Sequence, residues 1–327
     1  MKKLISLLLC AALCLTAMIL PAYADGTPSV AIVVAGGLGD RSFYDSANEG
    51  LEQLAAEFGT VTKVIECKED GSLYLTGLAE AAESCDIIFA VGWQFEQALP
   101  EAAEGYPEKQ FVWIDNAMVD AMDNVMSVVY AQNQGSFLVG YIAAKLSKTG
   151  VIGAVGGQDS ATINDFLVGY EAGAQYANPD VKVEKSYANG FEDPASGKEC
   201  ALALYGAGCD IVFAVAGKTG EGVFEAAKET GNYAIGVDSD QKYINPDVII
   251  CSMVKNVGKS VYDIVANNES RFQPATVWSA DMATGYIDVG YGDDTMTQQV
   301  SDELKAEVEE LKTKIINGEI EVPTALN

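Results

Sequence analysis

A repeated α/β pattern constrains the fold of this chain more than any other feature of its sequence. Residues 84–92 read SCDIIFAVG and residues 208–216 read GCDIVFAVA, an offset of 124 positions. The apolar segments that end at Asp115 and Asp238 lie 123 positions apart. Nearly equal offsets indicate a duplicated structural unit, so we expect two similar halves.

In the first half, short β-rich apolar runs alternate with segments of helical length. Strands are predicted at 30–35, 61–66, 86–91 and 111–115, and helices at 43–58, 73–82 and 95–104. Such alternation forms right-handed βαβ units around a parallel sheet. We therefore predict an α/β fold with two doubly wound parallel-sheet lobes; a single large sheet is the alternative.

The first 24 residues have the pattern of a signal peptide. Lys2 and Lys3 precede an apolar stretch, Leu4–Leu20, and Pro21–Ala24 ends in the small-x-small pattern that signal peptidases cleave. We expect cleavage after Ala24 and an exported protein of the extracellular space or cell envelope, with a transmembrane anchor as the alternative. Loss of the two lysines changes the formal net charge from −27 to −29.

The cysteines indicate neither a lipid anchor nor a metal site. Cys10 and Cys14 lie inside the apolar stretch, and each follows a leucine where a lipoprotein signal has a small residue, so we expect no lipid anchor. Five cysteines remain after cleavage, which cannot pair completely, and no C-x-x-C motif occurs. We expect buried thiols; a disulfide between Cys200 and Cys209 is the alternative.

The chain contains no histidine, 20 lysines and arginines, and 47 aspartates and glutamates. Without imidazole there can be no Ser-His-Asp triad, Cys-His pair or histidine metal ligand, and we expect neither a metal nor a cofactor. An isoelectric point near 4.1 argues against nucleic acids and anionic membranes as partners. Because no ordinary side chain then titrates near neutral pH, ligand affinity should be nearly flat between about pH 6 and 8.

Two aspartates mark the place where a ligand would bind. Ligands of open parallel sheets bind beyond the carboxyl ends of the strands, and two facing lobes would form a cleft there. Asp115 and Asp238 each end an apolar strand at matched positions of the repeat. A carboxylate at this position can accept two hydroxyl hydrogen bonds, for example from the vicinal diol of a ribose. Capping of the following helix is the alternative.

Aromatic residues and one lysine follow the same strands. Phe43 and Tyr44 come after the first strand, and Trp93 and Phe95 follow the third. Their rings could stack on a flat ligand, with packing in the core as the alternative. Lys255 follows the apolar run 249–253 and could reach a polar ligand group; otherwise it is an ordinary surface lysine.

Several segments are similar to one known family. Residues 40–50 read DRSFYDSANEG, which resembles the D-K-S-F-N-Q-x-x-x-E-G segment of the basic membrane protein family. Its members are purine-nucleoside receptors and related substrate-binding proteins of ABC importers. Further similar segments are Asn124–Ser127, Gln134–Gly140, Val155–Gly157, Phe166–Gly169, Ile235–Gln241 and Ile315–Pro323. The resemblance therefore extends over nearly the whole chain after the signal peptide.

The resemblance implies a type I periplasmic-binding-protein fold, in which two lobes joined by a hinge close on a nucleoside. We expect lobe 1 to comprise residues 25–129 and 253–280, and lobe 2 to comprise residues 130–252 and 281–327. Carried over by position, Phe43 would stack on the base and Asp115 would bind a polar edge of the ligand. Asp238 and Lys255 would hold the ribose hydroxyls, with the Gly217 backbone nearby.

Three departures from the family pattern bear on the ligand. Tyr44 and Asp45 stand where the family has Asn-Gln, and Lys218 stands where it has a glycine. These residues bring bulk, charge and hydrogen-bonding groups into the cleft, so the base preference and the ligand class stay open. The second stacking partner is Trp93, Phe166 or Phe213. The predicted ligand-binding residues are Asp40, Ser42, Phe43, Tyr44, Asp45, Trp93, Asp115, Phe166, Gly217, Lys218, Asp238 and Lys255.

These features predict an exported, non-enzymatic binding protein, monomeric, that captures a nucleoside, with purines favoured, and delivers it to the membrane permease of an ABC importer. A sugar or another small polar solute is the alternative ligand on the same scaffold. Presentation of the ligand to a membrane sensor would leave the same traces in the sequence. A secreted nucleoside hydrolase with catalytic carboxylates is the least favoured alternative, because no cluster of metal-binding carboxylates stands out.

Overall fold

Residues 27–326 are described by the computed structural model of this chain. The predicted signal peptide, residues 1–24, lies outside them. The strands are β1 (Val30–Val34), β2 (Thr62–Glu66), β3 (Ile87–Val91), β4 (Gln110–Ile114), β5 (Val125–Tyr130), β6 (Val151–Gly156), β7 (Lys182–Tyr187), β8 (Ile211–Val215), β9 (Tyr233–Asp238), β10 (Ile249–Lys255), β11 (Thr276–Ala280) and β12 (Ile287–Gly290). The helices are α1 (Phe43–Phe58), α2 (Tyr74–Ser84), α3 (Ala98–Gly105), α4 (Gln132–Leu146), α5 (Ala161–Ala177), α6 (Pro194–Gly206), α7 (Gly220–Thr230), α8 (Val257–Ala266), α9 (Asn268–Arg271) and α10 (Asp302–Ile316).

The strands form two six-stranded sheets with the same order. The first sheet has the order β11-β5-β4-β3-β1-β2 and the second has the order β12-β10-β9-β8-β6-β7. The repeated segments form β3 and β8, which occupy equivalent positions in the two sheets. The outermost strands differ, because β11 runs parallel to β5 whereas β12 runs antiparallel to β10. The predicted duplication and the two-lobed α/β fold are thereby confirmed.

The interior strands explain the apolar runs in the sequence. β1, β3 and β8 read VAIVV, IIFAV and IVFAV, and every residue in them is buried. Helices cover both faces of a parallel sheet, so its central strands are apolar throughout and do not alternate. Each buried Val, Ile or Phe side chain contributes about 1.5–3 kcal/mol of transfer free energy. These strands therefore form the core of each lobe, and the loops that follow them start from fixed positions.

The structure reproduces one predicted helix and corrects another. α1 spans 43–58, as predicted, and ends at Gly59, whose φ of 68° is the left-handed conformation of a helix C-terminus. The helix predicted at 95–104 is wrong at its start, because residues 93–96 form a separate 3-10 turn and α3 begins at Ala98. The turn begins after Gly92, whose φ is 126° and whose carbonyl accepts a 2.9 Å hydrogen bond from Trp113 Nε1.

Within the described residues the chain passes between the sheets three times. The crossings lie between β5 and α4, between β10 and α8, and between β11 and β12. We call the first sheet with α1–α3, α8 and α9 lobe 1, and the second sheet with α4–α7 and α10 lobe 2. The boundary predicted at residue 253 falls inside β10, whose last residue, Lys255, pairs with Ile287 of β12. The chain therefore returns to lobe 1 after Lys255.

The family-like segments 134–140 and 166–169 lie where α4 and α5 pack closely together. A methyl group on Gly140 would overlap the carbonyl of Tyr170, and one on Gly169 would overlap the carbonyl of Asn133. Glycine at both positions lets the two backbones touch, so that α5 is held directly against α4. This packing positions the first turns of α5 at the edge of the second sheet.

The structure of residues 27–326 also shows the state of the cysteines and the character of the helices. Cys67, Cys85, Cys200, Cys209 and Cys251 are free thiols, so the alternative disulfide between Cys200 and Cys209 is not formed. Four of these thiols are buried and the thiol of Cys200 is partly exposed. None of the helices in residues 27–326 has the length and apolar character needed to cross a membrane.

Candidate ligand-binding cleft

The carboxyl ends of the strands in both lobes surround a cavity that opens to solvent, with about 550 Å³ of empty space when the open mouth is included. Nine of the twelve predicted site residues line it: Asp40, Phe43, Tyr44, Trp93, Asp115, Phe166, Gly217, Asp238 and Lys255. Ser42, Asp45 and Lys218 do not. The cavity therefore lies at the place that the sheet topology predicts for a ligand.

Asp115 and Asp238 occupy equivalent positions in the two lobes. Each comes at the end of its strand in the left-handed region, with φ of 75° for Asp115 and 64° for Asp238. This conformation costs a residue with a side chain on the order of 1 kcal/mol, and such residues concentrate at functional sites. Neither carboxylate caps a helix among residues 27–326, since Asp115 pairs with Lys255 and Asp238 with Ser42. The capping alternative is therefore wrong for both.

Asp115 and Lys255 form an ion pair at the base of the cleft. Lys255 Nζ lies 2.5 Å from Asp115 Oδ1, and the two side chains are 1% and 9% exposed. Burial raises the pKa of Asp115, and the charge of Lys255 opposes that rise. Lys255 comes from the end of β10 and Asp115 from the end of β4, so the pair joins lobe 2 to lobe 1. The alternative of a surface lysine is wrong.

Three aromatic rings surround the ammonium group of Lys255. Its Nζ lies 5.1 Å from the ring centre of Phe43, 5.0 Å from that of Tyr130 and 5.1 Å from that of Phe166. Rings at this distance attract a cation, with about 0.5–2 kcal/mol for each contact. The same interactions bring Phe43 from lobe 1 and Phe166 from lobe 2 to one cation, and both rings line the cavity.

Asp238 is joined to lobe 1 by a direct hydrogen bond. Ser42 Oγ donates to Asp238 Oδ2 at 2.6 Å, and both residues are buried. Burial raises the pKa of Asp238 to about 6, although the charge of Lys255 and the Ser42 hydroxyl both lower it. Ser42 thus contributes to the site through Asp238 and does not line the cavity itself.

The acidic residues of the 40–50 segment shape the loop before α1. Asp40 accepts hydrogen bonds from the backbone N–H groups of Ser42, Tyr44 and Asp45 at 2.9–3.0 Å. Burial raises the pKa of Asp40 to about 7 against the effect of these three donors. Asp45 accepts from the N–H groups of Gly39 and Arg41 and does not line the cavity. These carboxylates hold Phe43 and Tyr44 in place.

Lys218 also lies outside the cavity. Its Nζ is 3.9 Å from Glu192, and 37% of its side chain is exposed.

Phe213, one of the three candidates for a second stacking ring, is fully buried behind Phe166, with the ring centres 6.5 Å apart. Trp93 and Phe166 both line the cavity and remain as candidates.

Eight further lining residues are not among the predicted site residues, and Phe191 and Gln94 are two of them. Phe191 follows β7, and its backbone N–H donates to Glu69 Oε1 of lobe 1 at 3.1 Å. Its ring packs over Gly157, where a methyl group would overlap it. The signal that could have found it is its position after a strand of the second half. Gln94, in the turn after β3, also lines the cavity.

Hydrogen bonds between the lobes close the rim of the cleft. Gly37 N–H donates to Glu192 Oε1 at 3.1 Å, and Gln241 Nε2 donates to the carbonyl of Arg41 at 3.0 Å. Together with the bond from Phe191, they join the two lobes beside the cavity.

In residues 27–326 no group of three or more cysteine, aspartate or glutamate side chains is arranged to hold a metal ion.

Comparisons with known proteins agree on one family. The family model Bmp, described as ABC transporter substrate-binding protein PnrA-like, matches residues 27–325. Basic membrane protein A of Borreliella burgdorferi is 35% identical over 306 residues, which cover 91% of this chain and 88% of that protein. The ABC transporter nucleoside-binding protein BmpA of Lactococcus lactis subsp. cremoris is 34% identical over 313 residues, covering 89% of this chain and 87% of the relative.

A solved structure gives the same result for the fold. The crystal structure of an ABC transporter solute-binding protein from Aeropyrum pernix has a TM-score of 0.82 and 29% sequence identity, and covers 92% of this chain and 94% of its own. With the two matched sheets, this likeness confirms the type I periplasmic-binding-protein fold. The chain therefore belongs to the Bmp family of PnrA-like ABC transporter substrate-binding proteins.

Proposed function

We propose that this protein captures a nucleoside, with purines favoured, in the cleft between its lobes and delivers it to the membrane permease of an ABC importer. The observation that carries the proposal is the matched pair of strand-end aspartates, Asp115 and Asp238, which flank a cavity with aromatic walls. A nucleoside needs both features, because its base is a flat ring and its ribose carries a vicinal diol. The name of the Lactococcus lactis relative supports the same ligand class.

Each part of the ligand has a partner of suitable chemistry. Phe43 from lobe 1 and Phe166 from lobe 2 both line the cavity and are suited to stack on a base, with Trp93 as a further candidate. Asp238 and Lys255 offer an acceptor and a donor for the ribose hydroxyls, close to the Gly217 backbone. Binding in a cavity that excludes water strengthens each of these polar contacts.

Ligand capture would depend on movement of the lobes about the three crossings. The contacts that close the rim come from both lobes, so they can form only when the lobes approach each other. A ligand that contacts both lobes binds the closed form more tightly and shifts the population towards it. The closed form would then present a continuous surface from both lobes to the permease. We propose that the protein acts as a monomer, exported to the cell envelope or beyond, and catalyses no reaction.

Titration calorimetry on the protein without residues 1–24 tests the ligand. We expect heat on addition of inosine, guanosine or adenosine, and weaker binding of cytidine and uridine. Titration with ribose distinguishes a nucleoside-binding protein from a sugar-binding protein, because the latter would bind ribose and would not bind nucleosides. No binding of any nucleoside would contradict the proposal. Release of free base during incubation with a nucleoside would show an enzyme instead.

A further inference from the structure

We infer that Gln94 selects the nucleobase, because its side-chain oxygen is placed to accept a hydrogen bond from an N–H group on the edge of the base. The inference rests on the proposed nucleoside function and deepens it. It assigns a specificity-determining role to a residue outside the segments that resemble the family.

The position of Gln94 is set by the turn after β3. Residues 93–96 form a 3-10 turn at the carboxyl end of the first sheet, and Gln94 lines the cavity from there. A side chain on Gly92 would overlap Gln94 Oε1, so glycine at this position leaves room for the amide. The hydrogen bond from Trp113 to the Gly92 carbonyl holds the start of the turn. The start of the segment that carries Gln94 is therefore fixed by this hydrogen bond.

One buried side-chain acceptor on the cavity lining has no hydrogen-bond partner within residues 27–326. Asp115 is paired with Lys255, and Asp238 accepts from Ser42. Gln94 Oε1 is buried and has no hydrogen-bond partner within residues 27–326, and it is the one such buried side-chain atom on a residue that lines the cavity. A buried acceptor without a donor is unfavourable, so a ligand that supplies the donor gains affinity over one that does not.

The chemistry of an amide identifies the part of the ligand that it would contact. A glutamine amide presents an acceptor and a donor side by side, which matches adjacent donor and acceptor groups on a base edge. Inosine and guanosine present N1–H beside O6, and adenosine presents its amino group beside N1. Purine riboside has the same ring and ribose without any N–H on the base. It is therefore the ligand that Gln94 would reject.

The experiment compares inosine with purine riboside in three proteins. Gln94→Met keeps the length of the side chain and removes both polar atoms of the amide. Gln97→Met makes the same change at an exposed position three residues further along. Affinities are measured by calorimetry, and thermal unfolding without ligand confirms that each variant is folded. The wild type and Gln97→Met should bind inosine at least about tenfold more tightly than purine riboside. In Gln94→Met this ratio should fall to about twofold or less.

The outcomes separate this inference from the proposed function. If inosine binds the wild type and Gln94→Met keeps the wild-type ratio, the role of Gln94 is overturned while the nucleoside function stands. If inosine and purine riboside bind the wild type equally, the role of Gln94 is also overturned. If no nucleoside binds the wild type, the proposed function fails and the inference fails with it.

Discussion

Ser42 and Asp238 join the two lobes by a 2.6 Å hydrogen bond between buried side chains. Ser42 lies in the loop after β1 of lobe 1, and Asp238 ends β9 of lobe 2. The carboxylate that is proposed to hold the ribose is therefore also a contact that forms when the lobes close. Closure and ligand binding share one group, so a change at Ser42 should affect both.

Replacing Ser42 with alanine should favour the open protein and weaken ligand binding. The change removes the hydroxyl donor from a buried carboxylate, and loss of a hydrogen bond to such a group costs about 1–3 kcal/mol. We expect a larger radius of gyration by small-angle X-ray scattering without ligand, and affinity for inosine reduced about tenfold. Ser239→Ala is the control, because the Ser239 hydroxyl makes only a 3.5 Å contact with the Ser42 carbonyl. Equal effects of the two substitutions would contradict the prediction.

Ligand affinity should rise with pH through the pKa of Asp238. Burial raises the pKa of this carboxyl to about 6, so it is partly protonated in the free protein near that pH. Ribose hydroxyls that donate to Asp238 favour its ionised form, and binding therefore lowers the pKa. Affinity for inosine should increase from pH 5 and level off above about pH 7, where Asp238 is ionised in the free protein, as calorimetry from pH 5 to 8 would show. Constant affinity down to pH 5 would contradict a bond to this carboxylate.

This pH dependence differs from the flat affinity that the lack of histidine predicts. The sequence shows which groups ordinarily titrate near neutral pH, but not which carboxyl groups the fold removes from water. Asp238 is buried where β9 of lobe 2 meets the Ser42 loop of lobe 1. For the same reason, the sequence could not show that Lys255 is buried among rings from both lobes.

The features that the sequence predicts correctly are those that depend on local pattern. The offset between the repeats placed Asp115 and Asp238 at matched strand ends, because strands of a duplicated unit end at equivalent residues. The structure adds Phe191 and Gln94, which enter the cavity from turns whose direction depends on packing with Gly157 and on Gly92. The resemblance also included glycines that serve the contact between α4 and α5 and do not touch the cavity. Sequence similarity alone does not separate these two roles.

Removing the Lys255 ammonium group should destabilise the protein strongly. Lys255→Met leaves the carboxylate of Asp115 buried without its partner, which costs about 3–5 kcal/mol when an ion pair is buried. We expect a corresponding loss in the free energy of unfolding, measured with urea. The double variant Lys255→Met with Asp115→Asn should recover part of this loss, because no charge is then left unpaired. Lys218→Met is the control, since this lysine is partly exposed and lies 3.9 Å from its acidic neighbour, and it should change the stability by no more than about 0.5 kcal/mol. Equal losses in the two single variants would contradict the role of the ion pair.

Adding a methyl group between α4 and α5 should disturb both stability and binding. In Gly169→Ala the new methyl overlaps the carbonyl of Asn133, so the helices must separate. Overpacking of this kind costs about 1–3 kcal/mol. Phe166 lies less than one turn before residue 169 on α5, so a shift of this helix also moves a wall of the cavity. We expect a lower melting temperature together with weaker binding of inosine.

Gly206→Ala provides the matched control for this substitution. Gly206 is the last residue of α6, and a methyl group there meets nothing within 4 Å. Alanine restricts the unfolded chain more than glycine does, so this variant should be unchanged or up to about 1 kcal/mol more stable. Its affinity for inosine should equal that of the wild type, because α6 carries no residue that lines the cavity. If Gly169→Ala behaved like Gly206→Ala in both measurements, the close approach of α4 and α5 would not be what positions Phe166.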